Sequence, residues 1–292
     1  MEKIIIVITN EGVLMNDIQN QNIDQVHIDK IELIALPTMS VNKIESKEVR
    51  ECFKRLSKGL YNYCIFLSSN AVKIFFEMAK NEHNYERIIK ELNKINMIVI
   101  GPKTKKILRG YGFDSKIGSS TNIIDKKYSS SEIIEFLETL ERECKTKHPK
   151  EIPKILMPRS AESVKSNNYI NTKFKYIILD QVFFYETREN KNVSNSEEWK
   201  KLMELPNRVE KAYLIFTSPS TVRSFFKIIY HQFSQISDRK SEREVLQALN
   251  INKVVSIGPK TSFELNKNKI NFTESSEYTI DGALDSLLRL IK

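Results

Sequence analysis

Cysteine is scarce in this chain of 292 residues: Cys52, Cys64 and Cys144 stand far apart and are odd in number. They supply neither a disulfide framework nor a metal-ligand spacing. The four histidines, His27, His83, His148 and His231, are equally dispersed, which leaves a zinc site or a His-dependent nucleophile without support. No apolar run approaches the roughly 18 residues of a membrane-spanning helix. The run Ile4–Ile8 follows Glu2 and is too short for a secretory signal. It reads as a first strand, and a cytoplasmic protein is the expectation. A GxxxxGKS/T phosphate loop is missing. "GYGFDS" (Gly110–Ser115) has two glycines of a dinucleotide fingerprint but lacks the third and follows a helical pattern. Nor do aromatic residues interleave with basic ones, as a platform for single-stranded nucleic acid requires.

What is present is an ordinary globular composition, 40% apolar and 28% charged. The length suggests two domains at about 150 residues each. A net charge of +9 suits a polyanionic partner, whether nucleic acid, a phosphorylated compound or a polycarboxylate. The lysines form no block, however, and a plain solvated surface has the same look.

The chain repeats itself. "LSSNAVKIFFE" (Leu67–Glu77) returns as "TSPSTVRSFFK" (Thr217–Lys227), an offset of 150 from Leu67 to Thr217. "YSSSEIIEFLETL" from Tyr128 returns as "YTIDGALDSLLRL" from Tyr278, again 150 on. Ile-Gly-Pro-Lys-Thr occurs at Ile100–Thr104 and at Ile257–Thr261, an offset of 157. "IIIVIT" from Ile4 matches "KILMPR" from Lys154 more weakly. Such order and spacing indicate a tandem duplication, with units far too long for a solenoid, and place a break near Pro153.

Within each half, short β-branched runs alternate with helical patterns. The strands expected are Ile4–Thr9, Glu32–Leu36, Tyr63–Leu67, Met97–Ile100, Ile155–Met157, Tyr176–Tyr185, Tyr213–Thr217 and Val254–Ile257. The helices expected are Asn70–Lys80, Pro102–Gly110, Ser130–Arg142, Ser220–Tyr230, Lys260–Asn266 and Ile280–Ile291. This alternation predicts an α/β protein with parallel sheets flanked by helices. Glu143–Pro153, Thr187–Glu198 and Ser234–Arg243 are polar and read as loops. The pairs Phe75-Phe76 and Phe225-Phe226 read as core.

Ligands of open parallel sheets lie beyond the carboxyl ends of the strands, where helices begin. Free N–H groups and the positive dipole end make an anion site there. Four corners have this chemistry: "SSNAV", "TSPST" and the two copies of "GPKT". Any one of them is accounted for by helix capping. Four in matched pairs point to a ligand shared by two lobes. Lys103 and Lys260 occupy first turns, where the dipole disfavours a cation and either a bound anion or a solvent-directed side chain would compensate.

The residues now resemble the uroporphyrinogen-III synthase family over the whole length. "IELIALPTMSV", "IFLSSNAV", "VIGPKT", "YSSSEII", "ILMPRSAE", "VFFYET", "IFTSPSTV", "SIGPKT" and "EYTIDGAL" follow in the family's order. Ser69 stands where the family often has proline, and Thr9-Asn10-Glu11 replaces its common Thr-Arg-Pro. The resemblance implies two similar α/β lobes joined by a two-stranded linker, residues 1–37 with 189–292 and residues 38–188. It implies cyclisation of hydroxymethylbilane to uroporphyrinogen III, with loss of water and inversion of the last ring. No metal or organic cofactor is implied, nor a nucleic-acid or membrane partner, and a monomer is expected. Tyr185, in "FFYET", is the implied catalytic residue, assisting departure of the hydroxyl or else ordering a linker strand. The substrate's carboxylates would be met by Ser68, Ser69, Asn70, Gly101, Lys103, Thr104 and Arg159, and by Thr217, Ser218, Ser220, Thr221, Gly258, Lys260 and Thr261. A two-lobe module that binds a tetrapyrrole or another polyanion without catalysis is the alternative.

Overall fold

A computed structural model of the chain describes residues 4–9, 31–113, 130–147, 152–164, 170, 172–232 and 241–291. The expectations that touch Asn10, His27, Tyr128, His148 and most of Ser234–Arg243 lie outside these residues. In chain order the elements are β1 (Ile4–Ile8), β2 (Ile31–Ala35), β3 (Met39–Lys43), α1 (Lys47–Ser57), β4 (Tyr63–Phe66), α2 (Ser69–Ala79), α3 (Tyr85–Leu92), β5 (Asn96–Val99), α4 (Pro102–Gly110), α5 (Ser130–Lys147), β6 (Lys154–Ser160) and β7 (Ile178–Glu189). There follow α6 (Glu197–Glu204), β8 (Ala212–Phe216), α7 (Pro219–Gln232), α8 (Glu242–Ala248), β9 (Ile251–Ser256), α9 (Pro259–Lys267), β10 (Thr273–Glu274) and α10 (Ile280–Ile291). None of the described helices is long and apolar enough to cross a membrane.

The chain divides into two compact units, Met1–Ser40 with Arg188–Lys292, and Val41–Thr187. The first holds a sheet in the order β10-β9-β8-β1-β2, parallel throughout. The second sheet runs β3-β7-β6-β4-β5, and β7, β6, β4 and β5 are parallel. The sequence repeat does not coincide with these sheets. β1 and β2 come from the first repeat but pair with β8 and β9 of the second, while β4 and β5 pair with β6 and β7. Each sheet is therefore completed by strands from both repeats, in the same spatial order. Asn190 donates its N–H to Thr38 O at 3.0 Å, and Ile44 donates to Phe184 O at 2.9 Å. One strand advances as the other retreats, so β3 runs antiparallel to β7.

Helices cover both faces of each sheet, which is why the central strands are apolar at every position rather than alternately. Ile5 and Val7 turn toward the side of α6, α7 and α8, whereas Ile6 and Ile8 turn toward α10. In the second unit Cys64 and Phe66 face α1, α2 and α3, and Ile65 faces α5. The duplication survives in the packing. Phe66, Phe75 and Phe76 have centroid separations of 5.4, 5.3 and 6.2 Å. Phe216, Phe225 and Phe226, each 150 residues later, give 5.5, 5.3 and 6.1 Å. These tilted and edge-to-face contacts add about 0.5–1.5 kcal/mol each beyond burial.

The structure corrects several sequence expectations. Glu143–Lys147, read as loop, is the last turn of α5, whose Lys145 and Lys147 suit a helix C-terminus. Thr187–Glu198 is not one loop: β7 continues to Glu189, a 3-10 turn covers Val193–Asn195, and α6 starts at Glu197. β3, β10 and the four helices α1, α3, α6 and α8 are additional elements.

Candidate active site

Because β6, β4 and β5 are parallel, their carboxyl ends line one edge of the second unit's sheet, and the candidate residues gather there. Ser68 caps α2, its Oγ accepting from Ala71 N–H at 3.1 Å. The same oxygen shares a hydrogen bond of 2.8 Å with the hydroxyl of Tyr185. Tyr185 lies on β7, is 6% exposed, and pairs with Ser160 at the end of β6, just past a register shift between Arg159 and Ser160. The shift leaves Phe184 as an extra residue on β7 between these pairs, so that Tyr185 rather than Phe184 lies opposite the end of β6.

Burial pushes the Tyr185 phenol above its usual range, and Glu162 adds to this; the Ser68 hydrogen bond and Arg159 pull the other way. The balance favours a neutral phenol, a group that can give a proton. Arg159 is 4% exposed. Its Nη1 donates to Gln181 Oε1 at 3.1 Å and lies 3.2 Å from Met157 Sδ. Gln181 is fixed in turn by Ile170, whose N–H reaches Gln181 Oε1 at 3.3 Å and whose carbonyl accepts from Nε2 at 2.9 Å. At the end of β6 the Ser160 hydroxyl donates to the Glu162 carboxylate and accepts from Glu162 N–H at 3.3 Å.

The first unit provides an internal comparison. Ser218, 150 residues after Ser68, holds its own corner together. Its Oγ is 2.9 Å from Ser220 Oγ and accepts from Thr221 N–H at 3.2 Å, while Thr221 Oγ1 donates to Ser218 O at 2.8 Å. Thr217 is tied to Thr9: it donates from N to Thr9 Oγ1 at 3.4 Å and from Oγ1 to Thr9 O at 3.3 Å. At the end of β2 stand Ala35, Leu36 and Pro37, so that strand brings no phenol to Ser218. Among the described residues, only the second unit pairs its corner serine with a buried tyrosine.

The two GPKT corners also diverge. Gly101 has φ 82° and ψ 150°, a region that is essentially glycine-only. Gly258 is extended at φ 165°, and a Cβ there would meet the Tyr278 ring at 2.9 Å. Thr104 and Thr261 are buried, at 4% and 2% exposure, and offer a ligand far less surface than the exposed Lys103 and Lys260 beside them. Ser69 is half-buried and Asn70 exposed in the first turn of α2. The sequence reading thus finds Ser68, Tyr185 and Arg159, which the structure brings to one edge. It omits Ser160, Glu162, Gln181 and Thr9. For Ser160 and Glu162 the Ser-x-Glu of "PRSAE" was the available signal. Among the described residues no cluster of three or more His, Cys, Asp or Glu is placed to hold a metal ion.

Known proteins are similar to this chain over most of its length. A putative uroporphyrinogen-III synthase of Methanocaldococcus jannaschii is 29% identical over 235 residues, 80% of each chain. The crystal structure of uroporphyrinogen-III synthetase from Helicobacter pylori 26695 shares the fold with a TM-score of 0.55 at 20% identity, covering 99% of this chain and 100% of that one. A mutant uroporphyrinogen III synthase from the extremely thermophilic bacterium Thermus thermophilus gives 0.53 at 12% identity, with 99% and 98% covered. The family model of uroporphyrinogen-III synthase HemD matches residues 29–285. That span reaches into both units and includes the four helix-start corners, and the chain belongs to the uroporphyrinogen-III synthase family.

Proposed function

We propose that this chain closes the linear tetrapyrrole hydroxymethylbilane to uroporphyrinogen III, with loss of water and inversion of the last ring. In reaction class it is a hydro-lyase, acting as a cytoplasmic monomer without a cofactor. In a chain of this family, the observation that carries the reading is the buried Tyr185 hydroxyl 2.8 Å from Ser68 Oγ at the carboxyl edge of a parallel sheet.

The reaction needs an acid and a mould. The C–O bond of the terminal hydroxymethyl group breaks as the pyrrole nitrogen pushes its electron pair toward that carbon. The departing oxygen takes the Tyr185 proton and leaves as water. Ser68 can turn its O–H toward the phenolate that remains. For the last ring to invert, the carbon bonds to the α-carbon of that ring which already bears the bridge. The bridge bond then breaks and re-forms at the free α-carbon, whose proton returns to Tyr185, and the net change is one water lost. Uncatalysed closure gives the uninverted isomer, so the protein must also fix one fold of a flexible chain. That is positioning catalysis. Helix-start N–H groups and hydroxyls take up the substrate's carboxylates: Ser68, Ser69, Asn70, Gly101, Lys103, Thr104 and the buried cation Arg159 in one unit. Thr217, Ser218, Ser220, Thr221, Gly258, Lys260 and Thr261 serve in the other.

The test supplies hydroxymethylbilane, oxidises the product and resolves the isomers chromatographically. Isomer III formed faster than spontaneous closure is the expected result. Isomer I at the spontaneous rate overturns the enzyme reading and leaves a binding module.

A further inference from the structure

Glu162 puts a carboxylate at a corner proposed to hold a polycarboxylate. The chain carries +9 and the proposed substrate is a polycarboxylate, so a carboxylate at the corner where the reacting end is held opposes binding. Yet the fold fixes it there. Ser160 Oγ donates to the carboxylate, and Glu162 N–H donates back to Ser160 Oγ at 3.3 Å. Ser163 Oγ donates to Ser160 O at 2.6 Å, which closes the turn. Ser160 is the strand partner of Tyr185, and Tyr185 is bonded to Ser68. The carboxylate, in the turn just beyond β6, and the phenol, on β7 opposite the last residue of β6, are therefore near enough for the charge of Glu162 to bear on the phenol.

A fixed negative charge is favoured where positive charge develops during a reaction. Loss of the hydroxyl produces such a charge: the exocyclic carbon becomes doubly bonded to the ring, and the pyrrole N–H carries the positive charge. We propose that Glu162 is a catalytic counter-charge, its carboxylate accepting a hydrogen bond from the N–H of the reacting pyrrole and stabilising the cation left when water departs. The proton stays on nitrogen throughout, and the charge leaves this pyrrole when its exocyclic carbon bonds to the last ring, which gives up a proton to Tyr185 once its bridge bond has re-formed. The assignment rests on the proposed cyclisation. A cap on the Ala161–Ser163 turn is the structural role it must be distinguished from.

Steady-state kinetics with hydroxymethylbilane on Glu162→Gln, Glu162→Asp and Ser160→Ala make the distinction, beside unfolding midpoints. Glu162→Gln is expected to lower kcat at least ten-fold while KM holds or falls, because repulsion of the substrate is relieved as the cation loses its partner. Glu162→Asp should recover part of the rate. Ser160→Ala, which keeps the charge but frees it, should fall between the two and supplies the reading if Glu162→Gln does not fold. Wild-type kcat in Glu162→Gln, or a loss accompanied by a higher KM and a lower unfolding midpoint, overturns the assignment while isomer III from the wild type preserves the enzyme reading. Isomer I alone from the wild type overturns both.

Discussion

A phenol that keeps its proton is useful only while it keeps it. Tyr185 is held above the usual tyrosine range chiefly by burial, so its acid form persists through neutral pH. As far as Tyr185 governs it, kcat should therefore be flat there and fall on the alkaline side only as pH climbs beyond about 10, the ordinary tyrosine value. Tyr185→Phe should lower kcat at least several-fold with the unfolding midpoint nearly unchanged; an unaltered rate would remove the acid role. The glycines of the repeated corner offer a second comparison. Gly101→Ala places a Cβ in a glycine-only region and should cost about 1–3 kcal/mol of stability. Gly258→Ala requires only that the exposed Tyr278 ring move aside, so its cost should be clearly smaller in the same denaturant titration. Identical letters gave no sign of this difference, because backbone dihedrals at a corner depend on what packs against it. Tyr185 was legible through "FFYET", but its partner was not: the meeting with Ser68 depends on strand register and on the shift at Arg159/Ser160.

Helix starts show a finer trace of the duplication than the motifs do. Ser46 accepts from Val49 N–H at 3.2 Å and begins α1; Ser196, 150 residues later, accepts from Trp199 N–H at 3.1 Å and begins α6. Ser46→Ala and Ser196→Ala should each cost about 1 kcal/mol, and the double substitution should be additive in chemical denaturation because the caps are independent. Both helices escape the sequence reading. The apolar pattern of α1 is present, with Val49, Cys52, Phe53 and Leu56 at the spacing of a buried helical face, but the charges interleaved with it mask the signal. α3 and α8 have only 8 and 7 residues, close to the length at which a periodic pattern cannot be told from chance. Strands were easier, since an unbroken run of Ile, Val and Phe bounded by polar residues has few other readings.

At the scale of the whole molecule, the repeat and the sheets disagree for a topological reason. Composition and spacing place a break near Pro153, and nothing local reveals that β1 and β2 are completed by β8 and β9. Pairing between distant strands is a property of the assembled sheet. A segment of residues 41–187 contains every strand of its own sheet in one continuous stretch apart from the ends of β3 and β7. Produced alone, it should show cooperative thermal unfolding, whereas residues 1–152, cut at the sequence repeat, should not. A non-cooperative 41–187 would mean that the unit depends on the rest of the chain.

The same exchange of strands matters before the protein is finished. β1 and β2 leave the ribosome well ahead of the rest of their sheet, since the neighbour that buries β1 is Ala212–Phe216. At the usual rate of about 5–20 residues per second this is a wait on the order of tens of seconds. Two parallel strands have too little surface to hold together meanwhile. The intervening unit can fold during the delay, but the nascent Ile4–Ile8 remains an unpaired, wholly apolar edge of the kind that holdase chaperones bind and that misassembles between neighbouring nascent chains. Slower translation would lengthen this exposure, so yield in the cell should depend more on what shields that strand than on the stability of the finished molecule.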